Sequence, residues 1–466
     1  MTLPEYFDLI RHKRIDVIGA GVSNRPLAEM LLSEGCDVTL RDKKTEDELA
    51  GAVADCKKRG AKLKLGPGYL DGLDGDIIFR TPGLHPHTPE LVGAKDNGSV
   101  ITSEMELFLK LCPCKTICVT GSNGKTTTAF MIAELLRHAG LRVRLGGNTG
   151  KPLLADTVNI SPDDYVVAEL SSFQLHSMRC RPDIAVITNI SPNHLDVHPD
   201  FDDYIGAKSM IFKNQLSRDM LVLNAEDPHS SVFASSARSR LLYFGLKHPP
   251  GDGVFLSDGK IYRSIDGRRE FILNESELLL SGLHNRENFM AALAAVGDLV
   301  GADTCRQVAA SFKGVEHRLE TVRAFCGVTY INDSIATSPS RTVAGLRAFE
   351  TKPVLIAGGY DKLLPFDDLG DEIALRASAL FLTGDTAQKI KAAVEKSTFY
   401  HPEKLPIAVI GDFEEAVSAA CRFAKEGDTV LLSPACASFD MFENFEKRGE
   451  AFKKIINGLE RSHEFV

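Results

Sequence analysis

Residues 116–128 read Thr-Ile-Cys-Val-Thr-Gly-Ser-Asn-Gly-Lys-Thr-Thr-Thr, and no other stretch constrains the chain as much. An apolar run of strand length feeds into glycines, a lysine and threonines, after which an apolar helical pattern continues to about Gly140. A helix N-terminus gathers backbone N–H groups that no helical carbonyl can satisfy, and it therefore receives anions. Gly121 and Gly124 would let those amides close on phosphate oxygens, with Lys125 as a mobile cation and Thr126 as a Mg2+ ligand. The two glycines stand closer together than in the ordinary P-loop pattern, so this is a shortened variant. An ordinary glycine-rich strand-to-helix turn is the competing reading.

The 466 residues suggest about three domains at roughly 150 residues each. With 54 basic and 63 acidic residues the formal charge is −9, which argues against a general nucleic-acid or acidic-membrane binder and leaves small anionic ligands open. No apolar run approaches a membrane span and residues 1–13 lack the order of a secretory signal, so the cytoplasm is the default. The ten cysteines form no disulfide-like framework and read as small apolar core residues. Cys112 and Cys114 with Cys118 could recruit a metal, but Cys118 falls inside the strand pattern.

The chain opens with Ile15-Asp16-Val17-Ile18-Gly19-Ala20-Gly21-Val22-Ser23-Asn24, a helical run over 26–34, and a second strand ending at Asp42. Strand, glycine turn, helix, strand and acid make the outline of a dinucleotide-binding unit. Asn24 stands where its third glycine belongs, so diphosphate binding and a plain Rossmann-like scaffold are equally open. Ile77-Ile78-Phe79-Arg80 followed by Thr81-Pro82-Gly83 repeats the strand-then-turn theme, with amides and Arg80 available to an anion.

Beyond the loop, Gly146-Gly147-Asn148-Thr149-Gly150 allows close backbone approach to a ligand. The strand Tyr165-Val166-Val167-Ala168 delivers Glu169 at its C-terminal end, the position from which a carboxylate in an open α/β sheet meets ligands and Mg2+. His194 and His198 are four apart, but Pro192 and Pro199 break any continuous helix and no glutamate follows His194, so a zincin site is a poor reading. One histidine near Mg2+ or a solvated loop histidine both fit. On residue type alone, Lys208 in the helical pattern over 201–214 reads as a surface lysine. A hairpin-rich region over 242–280 precedes an alanine-rich helix opened by Leu283-His284-Asn285 with Asn288. The last third alternates strand and helix again, which argues for a parallel sheet with functional residues at strand C-terminal ends. Phe439, Phe442, Phe445 and Phe452 read mostly as a core stripe.

With these motifs in place the chain resembles the Mur ligases of peptidoglycan precursor synthesis over nearly its whole length. Thr120-Gly121-Ser122-Asn123-Gly124-Lys125-Thr126-Thr127 is the family-wide loop. Glu169-Leu170-Ser171-Ser172-Phe173-Gln174-Leu175, Gly282-Leu283-His284-Asn285, and Leu432-Ser433-Pro434-Ala435-Cys436-Ala437-Ser438-Phe439-Asp440 with Asn444-Phe445-Glu446 are similar to the D-glutamate-adding branch. The Asp-Asn-Pro-Arg element of the branches that add diaminopimelate or lysine is not found.

The resemblance implies three α/β domains: a Rossmann-like UDP-substrate domain over 1–103, a P-loop-type ATPase domain over 104–314, and a Rossmann-like C-terminal domain over 315–466. It implies ATP, two Mg2+ ions, UDP-N-acetylmuramoyl-L-alanine and D-glutamate, joined through an acyl phosphate by a cytoplasmic monomer. Carried over by position, Lys125, Glu169, His194 and Lys208 are catalytic, and Thr126, Glu169, His194 and Lys208 serve Mg2+, with Lys208 carbamylated. The residues from Gly121 to Thr127, with Asn288, Arg318 and Asp333, would hold the nucleotide. Gly21, Val22, Ser23, Asp42, Thr81 and Gly83 would hold UDP, and Asn148 and His194 the muramoyl part. Thr337, Lys362, Ser438 and Phe445 would face the incoming amino acid. The branch pattern has a lysine where this chain has Ile335, so another cation must meet the glutamate carboxylate; Lys362 and Arg341 are the candidates.

Four rivals remain at this level. Folylpolyglutamate synthase shares the loop and the acyl-phosphate chemistry but lacks a UDP-binding first domain. The same ligase chemistry could take L-glutamate or D-lysine. An NAD-dependent oxidoreductase built on the first segment leaves Lys125, Glu169 and Lys208 without a task, and a nucleotide-gated binding protein would bind without turning over.

Overall fold

The computed structural model describes residues 1–21, 23–49, 51, 53–148, 152–192, 197–280, 282–361 and 364–460. The chain forms two compact units, Met1–Phe312 and Lys313–Val466.

The first unit holds two sheets. Five parallel strands, β1 (Arg14–Ile18), β2 (Asp37–Asp42), β3 (Lys62–Leu65), β4 (Ile77–Phe79) and β5 (Val100–Thr102), lie in the order β3-β2-β1-β4-β5. The direction of winding reverses between β1 and β4, and a crevice at that point receives ligands in such sheets. Nine further strands follow: β6 (Lys115–Thr120), β7 (Val143–Gly147), β8 (Tyr165–Glu169), β9 (Ile184–Ile187), β10 (Met220–Asn224), β11 (Arg240–Gly245), β12 (Gly253–Ser257), β13 (Lys260–Ile265) and β14 (Arg268–Asn274). Their order is β14-β13-β12-β11-β10-β9-β6-β8-β7, parallel from β7 to β12 and finished by antiparallel hairpins.

Strand β6 sits between β8 and β9, and Ile117, Cys118 and Val119 are fully buried because both faces are covered. The helix Leu283–Val296 is buried along its whole run from Asn288 to Val296. Its alanines let it lie against the helix Lys125–His138, which carries the loop, so Asn288 reaches the loop's edge. A single apolar core runs from Leu3, Phe7 and Leu27 through Phe108 to Ile190 and Phe212, joining the two sheets of this unit.

The second unit has β15 (Glu320–Phe325), β16 (Val328–Asn332), β17 (Val354–Ala357), β18 (Ala379–Leu382), β19 (Ile407–Val409) and β20 (Thr429–Leu432), in the order β15-β16-β20-β17-β18-β19. All neighbours are parallel except β15 with β16. The core-stripe reading of the phenylalanines holds for Phe452, which is buried, and for Phe442, packed against the same core. It fails for Phe439, 65% exposed with its ring on Tyr360, because the helix begins only at Phe445 and the preceding turn points Phe439 outward.

Candidate functional site: the loop after β6

The glycines of the loop are enforced by geometry. Gly121 has φ +146° and Gly124 φ +78°, and a Cβ on either would overlap Thr188 Oγ1 or Asn288 Oδ1 respectively. The segment after β9 shapes the loop: Ser122 N donates to Asn189 O at 2.8 Å, Asn123 N to Asn189 Oδ1 at 2.9 Å, and Thr188 Oγ1 to Asn123 O at 2.6 Å. Ser122 Oγ donates to Ser191 O at 2.9 Å and meets Tyr204 OH at 2.9 Å. The N–H groups of Ser122 and Asn123 are therefore spent inward. The amides left to face an anion belong to the first turn of the helix Lys125–His138, whose N-cap is Gly124.

Lys125 Nζ lies back over the loop, donating to Gly121 O at 3.0 Å and Ser122 O at 2.9 Å. Thr126 Oγ1 donates to Glu169 Oε2 at 2.7 Å, and Asn148 Nδ2 to Glu169 Oε1 at 2.9 Å. Parallel pairing of β6 with β8 sets Val119 beside Glu169, which brings the carboxylate to the loop. Glu169 is 3% exposed, and the Thr126 hydroxyl and Asn148 amide that donate to it are neutral, so a divalent cation would neutralise its charge. Hydroxyl and carboxylate oxygens are hard donors of the kind Mg2+ takes, so the residues present fit that ion.

Lys208 is 1% exposed, which overturns its reading as a surface lysine. Tyr204 and Lys208 stand four apart on the helix Phe201–Ser209 and share a face. That face reads the loop through Tyr204 OH and through Lys208 Nζ, which donates to Gly121 O at 2.7 Å and lies 4.6 Å from the Tyr204 ring centre. Burial, then the nearby Lys125 charge, push the Lys208 amine well below the ordinary lysine range against the opposing pull of Glu169. Tyr204 escaped the sequence reading, although its spacing four before Lys208 was the available signal.

At the first sheet, Gly19 has φ +94° and packs on Thr81, so the turn after β1 and the loop after β4 lie side by side. Asp42 accepts Ala20 N at 2.7 Å and Lys44 N at 2.9 Å, and Asn24 donates to Ile18 O at 2.7 Å, a task the expected glycine could not perform. Gly21, Ser23, Asp42, Thr81 and Gly83 thus gather at the carboxyl ends of β1, β2 and β4. Arg80 does not serve as the expected anion-binding group. It is 1% exposed and spends its guanidinium on the carbonyls of Thr81, Pro82, Leu84 and Phe173 and on Ser177 Oγ, and burial pulls it down to about 10.

In the second unit the adjacent strands β16, β20 and β17 deliver Asp333, Ser433 to Ser438, and Gly358 to Asp361 at their carboxyl ends. Asp333 accepts Ser433 Oγ at 2.8 Å and Leu319 N at 3.2 Å, and burial raises it to about 6. Arg448, buried, donates to Ser334 Oγ and to the carbonyls of Ser334, Cys436 and Ala437, while Ser334 Oγ donates to Phe445 O at 2.8 Å. Ser438 is buried, Arg318 exposed, and Thr337 N donates to Ile335 O at 2.8 Å. Arg341 Nη1 donates to the same Ile335 carbonyl at 3.1 Å, so its guanidinium lies beside the backbone of the residue that is lysine in the branch pattern. Val22, Thr149, Gly150, His194 and Lys362 lie outside the described residues. His198 is not a solvated loop histidine: it is buried between Asp203 and Ser172. The cysteine metal reading finds no support, as Cys118 is sealed in the core and Cys112 and Cys114 contact each other at 3.6 Å.

Loop, buried carboxylate and buried amine at one sheet edge define a nucleotide-binding α/β enzyme of the phosphoryl-transfer kind. Residues 119–296 match the Mur ligase middle domain and residues 317–436 the Mur ligase glutamate ligase domain. A UDP-N-acetylmuramoylalanine–D-glutamate ligase of Acetivibrio thermocellus is 47% identical, covering 98% of this chain and 99% of that protein. The same-named ligase of Clostridium botulinum strain Hall is 46% identical over 98% and 99%. In fold the chain is similar to UDP-N-acetylmuramate-alanine ligase from Thermotoga maritima, with TM-score 0.51, 19% identity and coverage of 96% and 99%. It is also similar to the ADP complex of MurF ligase from Thermotoga maritima, with TM-score 0.51, 18% identity and coverage of 97% and 99%. The chain belongs to the Mur ligase family, with a three-domain α/β architecture.

Proposed function

We infer that this chain is the ATP-dependent amide ligase that adds D-glutamate to UDP-N-acetylmuramoyl-L-alanine in peptidoglycan precursor synthesis. Near-full-length identity to ligases of that name carries the substrate assignment. The single structural observation that carries the chemistry is the convergence of Lys125, Thr126, Glu169 and Lys208 on the loop after β6.

The reaction begins when a substrate carboxylate oxygen attacks the γ-phosphorus of ATP, breaking its bond to ADP. Two anions meet in that step, so catalysis is positioning plus charge stabilisation. Lys125 leaves its two loop carbonyls for the transferring phosphoryl group, and the first-turn amides hold the neighbouring phosphates. When bound, Mg2+ supplies further charge neutralisation, with Thr126 and Glu169 as its ligands. The amine of D-glutamate then attacks the acyl phosphate, the tetrahedral intermediate collapses, and phosphate leaves as the amide forms.

Lys208 is carbamylated in this reading: its depressed basicity favours the neutral amine, which attacks CO2 and gives up a proton to solvent, and the resulting carbamate, with His194, would hold a second Mg2+. UDP lies along Gly21, Val22, Ser23, Asp42, Thr81 and Gly83, with Asn148 toward the muramoyl group. Asn288, Arg318 and Asp333 face the nucleotide, and Thr337, Lys362, Ser438 and Phe445 the incoming glutamate, with Arg341 replacing the charge missing at Ile335. The domains fall at 1–103, 104–314 and 315–466, and the enzyme works as a cytoplasmic monomer without nucleic acid; among the described residues no helix is long and apolar enough to cross a membrane. Competitive turnover with D-Glu, L-Glu, D-Asp and D-Lys, read as phosphate release, tests the assignment. Strong preference for D-Glu is expected, and preference for any competitor would overturn it.

A further inference from the structure

We propose that His85, His176 and Asp203 form a binding site for a divalent transition-metal ion of the zinc class, separate from the Mg2+ site at the nucleotide loop. One ring nitrogen from each histidine and a carboxylate oxygen of Asp203 all lie within 4.8 Å of one another. The three come from different elements: the loop after β4, the turn that ends the helix Ser172–Leu175, and the first turn of the helix Phe201–Ser209. The rings of His85 and His176 pack edge to face with centres 4.9 Å apart.

A hydrogen-bonded latch explains only part of this. His176 Nε2 donates to Asp203 Oδ1 at 2.8 Å, and His198 Nδ1 donates to Asp203 Oδ2 at 2.6 Å while its Nε2 meets Ser172 Oγ at 3.0 Å. His85 Nε2 is buried and makes no hydrogen bond among the described residues. Buried polar atoms are rarely left so without a ligand or ion to meet them. A cavity of about 160 Å³ opens beside it, lined in part by Gly83, His85, Phe173 and His176, with room for water or a substrate atom to complete four-fold coordination.

Two imidazoles and one carboxylate favour zinc, nickel or cobalt, whereas Mg2+ prefers a set made mainly of oxygens. Binding at His176 Nε2 moves the proton now shared with Asp203 to the ring's Nδ1, so the imidazole ligates in its neutral form. Ligation through His85 Nε2 needs the proton on Nδ1, so the 3.2 Å bond from His87 N to that atom is given up. His198, holding the far oxygen of Asp203, orients the carboxylate from behind. Arg80 also lines the cavity, but its two terminal nitrogens donate to carbonyl oxygens and Ser177 Oγ, and the Asp203 charge offsets its repulsion of a cation. An ion here would tie the loop bearing Thr81 and Gly83 to the helix bearing Lys208.

The test is a zinc titration of the chelator-stripped full chain against a chromophoric chelator, in millimolar Mg2+. One Zn2+ per chain is expected, with affinity rising with pH. His85→Ala and His176→Gln should each weaken it at least about tenfold, while Cys112→Ser should not. Replacement of zinc by cobalt should give a visible spectrum that both histidine variants lose. Because His85 is partly exposed, His85→Ala is expected to fold, and an unchanged circular dichroism spectrum checks this. Absence of stoichiometric binding, displacement by millimolar Mg2+, or affinity that falls in Cys112→Ser but not in the histidine variants overturns the proposal.

Discussion

Lys208 Nζ donates to the carbonyl of Gly121 at 2.7 Å, from a helix that begins eighty residues further along the chain. The bond sets an amine of depressed basicity against the backbone of the phosphate loop. Lys208→Ala and Lys208→Arg are both expected to lose nearly all turnover, because arginine keeps charge but cannot form a carbamate. Intact-protein mass measurement in bicarbonate should show one added CO2 on the wild type and none on either variant. Full activity in Lys208→Arg would falsify the carbamate.

Tyr204 holds Ser122 from the same helix face. Tyr204→Phe removes one buried hydroxyl bond while keeping the ring beside Lys208, at a cost of about 1 kcal/mol. A several-fold loss in kcat with a modest fall in stability is expected, and Tyr204→Ala should do worse on both. Wild-type activity in both variants would show that neither bond nor ring positions the loop.

Removing the carboxylate charge with Glu169→Gln leaves the side-chain volume and one acceptor for Thr126. The Mg2+ concentration for half-maximal turnover should rise at least about tenfold, with the KM for the UDP substrate little changed. An unchanged Mg2+ dependence would remove Glu169 from the ion's ligand set.

Burial lifts Asp333 to about 6, against a usual carboxylate value near 4. Between those values the native state holds a proton that the unfolded chain has released, so this contribution to stability is present at low pH and is lost as pH rises through about 6. The full effect is about 3 kcal/mol. Asp333→Asn stays neutral, so urea midpoints should move in the variant's favour from pH 4 to pH 7. A pH-independent difference would contradict a buried, raised carboxyl.

Arg341 meets the carbonyl of Ile335, beside the wall expected to take the incoming amino acid. Arg341→Ala is expected to raise the KM for D-Glu several-fold more than that for ATP, and Arg341→Lys to recover part of it. Equal D-Glu KM values in all three proteins would return the whole task to Lys362.

What the sequence made legible was local in origin. Strand, glycine turn, Lys125 and Thr126 lie within thirteen consecutive residues, and Glu169 was readable because a strand's end fixes where its last side chain goes. Lys208 and Arg80 were misread on residue type because burial of a charged side chain is decided by what docks on it: Tyr204 and the loop for one, five backbone and hydroxyl acceptors for the other. Phe439 was assigned to the core because regular spacing hid a turn before Phe445. The His85, His176 and Asp203 group was invisible, since its members are far apart in sequence and meet only across two sheets.

In the proposed reaction the substrate carboxylate is phosphorylated before the amide forms. Turnover of UDP-N-acetylmuramoyl-L-alanine carrying heavy oxygen in its alanine carboxylate, with unlabelled ATP and D-glutamate, tests it directly by mass measurement of the released phosphate. One labelled oxygen in each phosphate is the predicted result, because the bridging oxygen of the acyl phosphate departs with phosphorus. Phosphate without label, alongside amide product, would contradict the account.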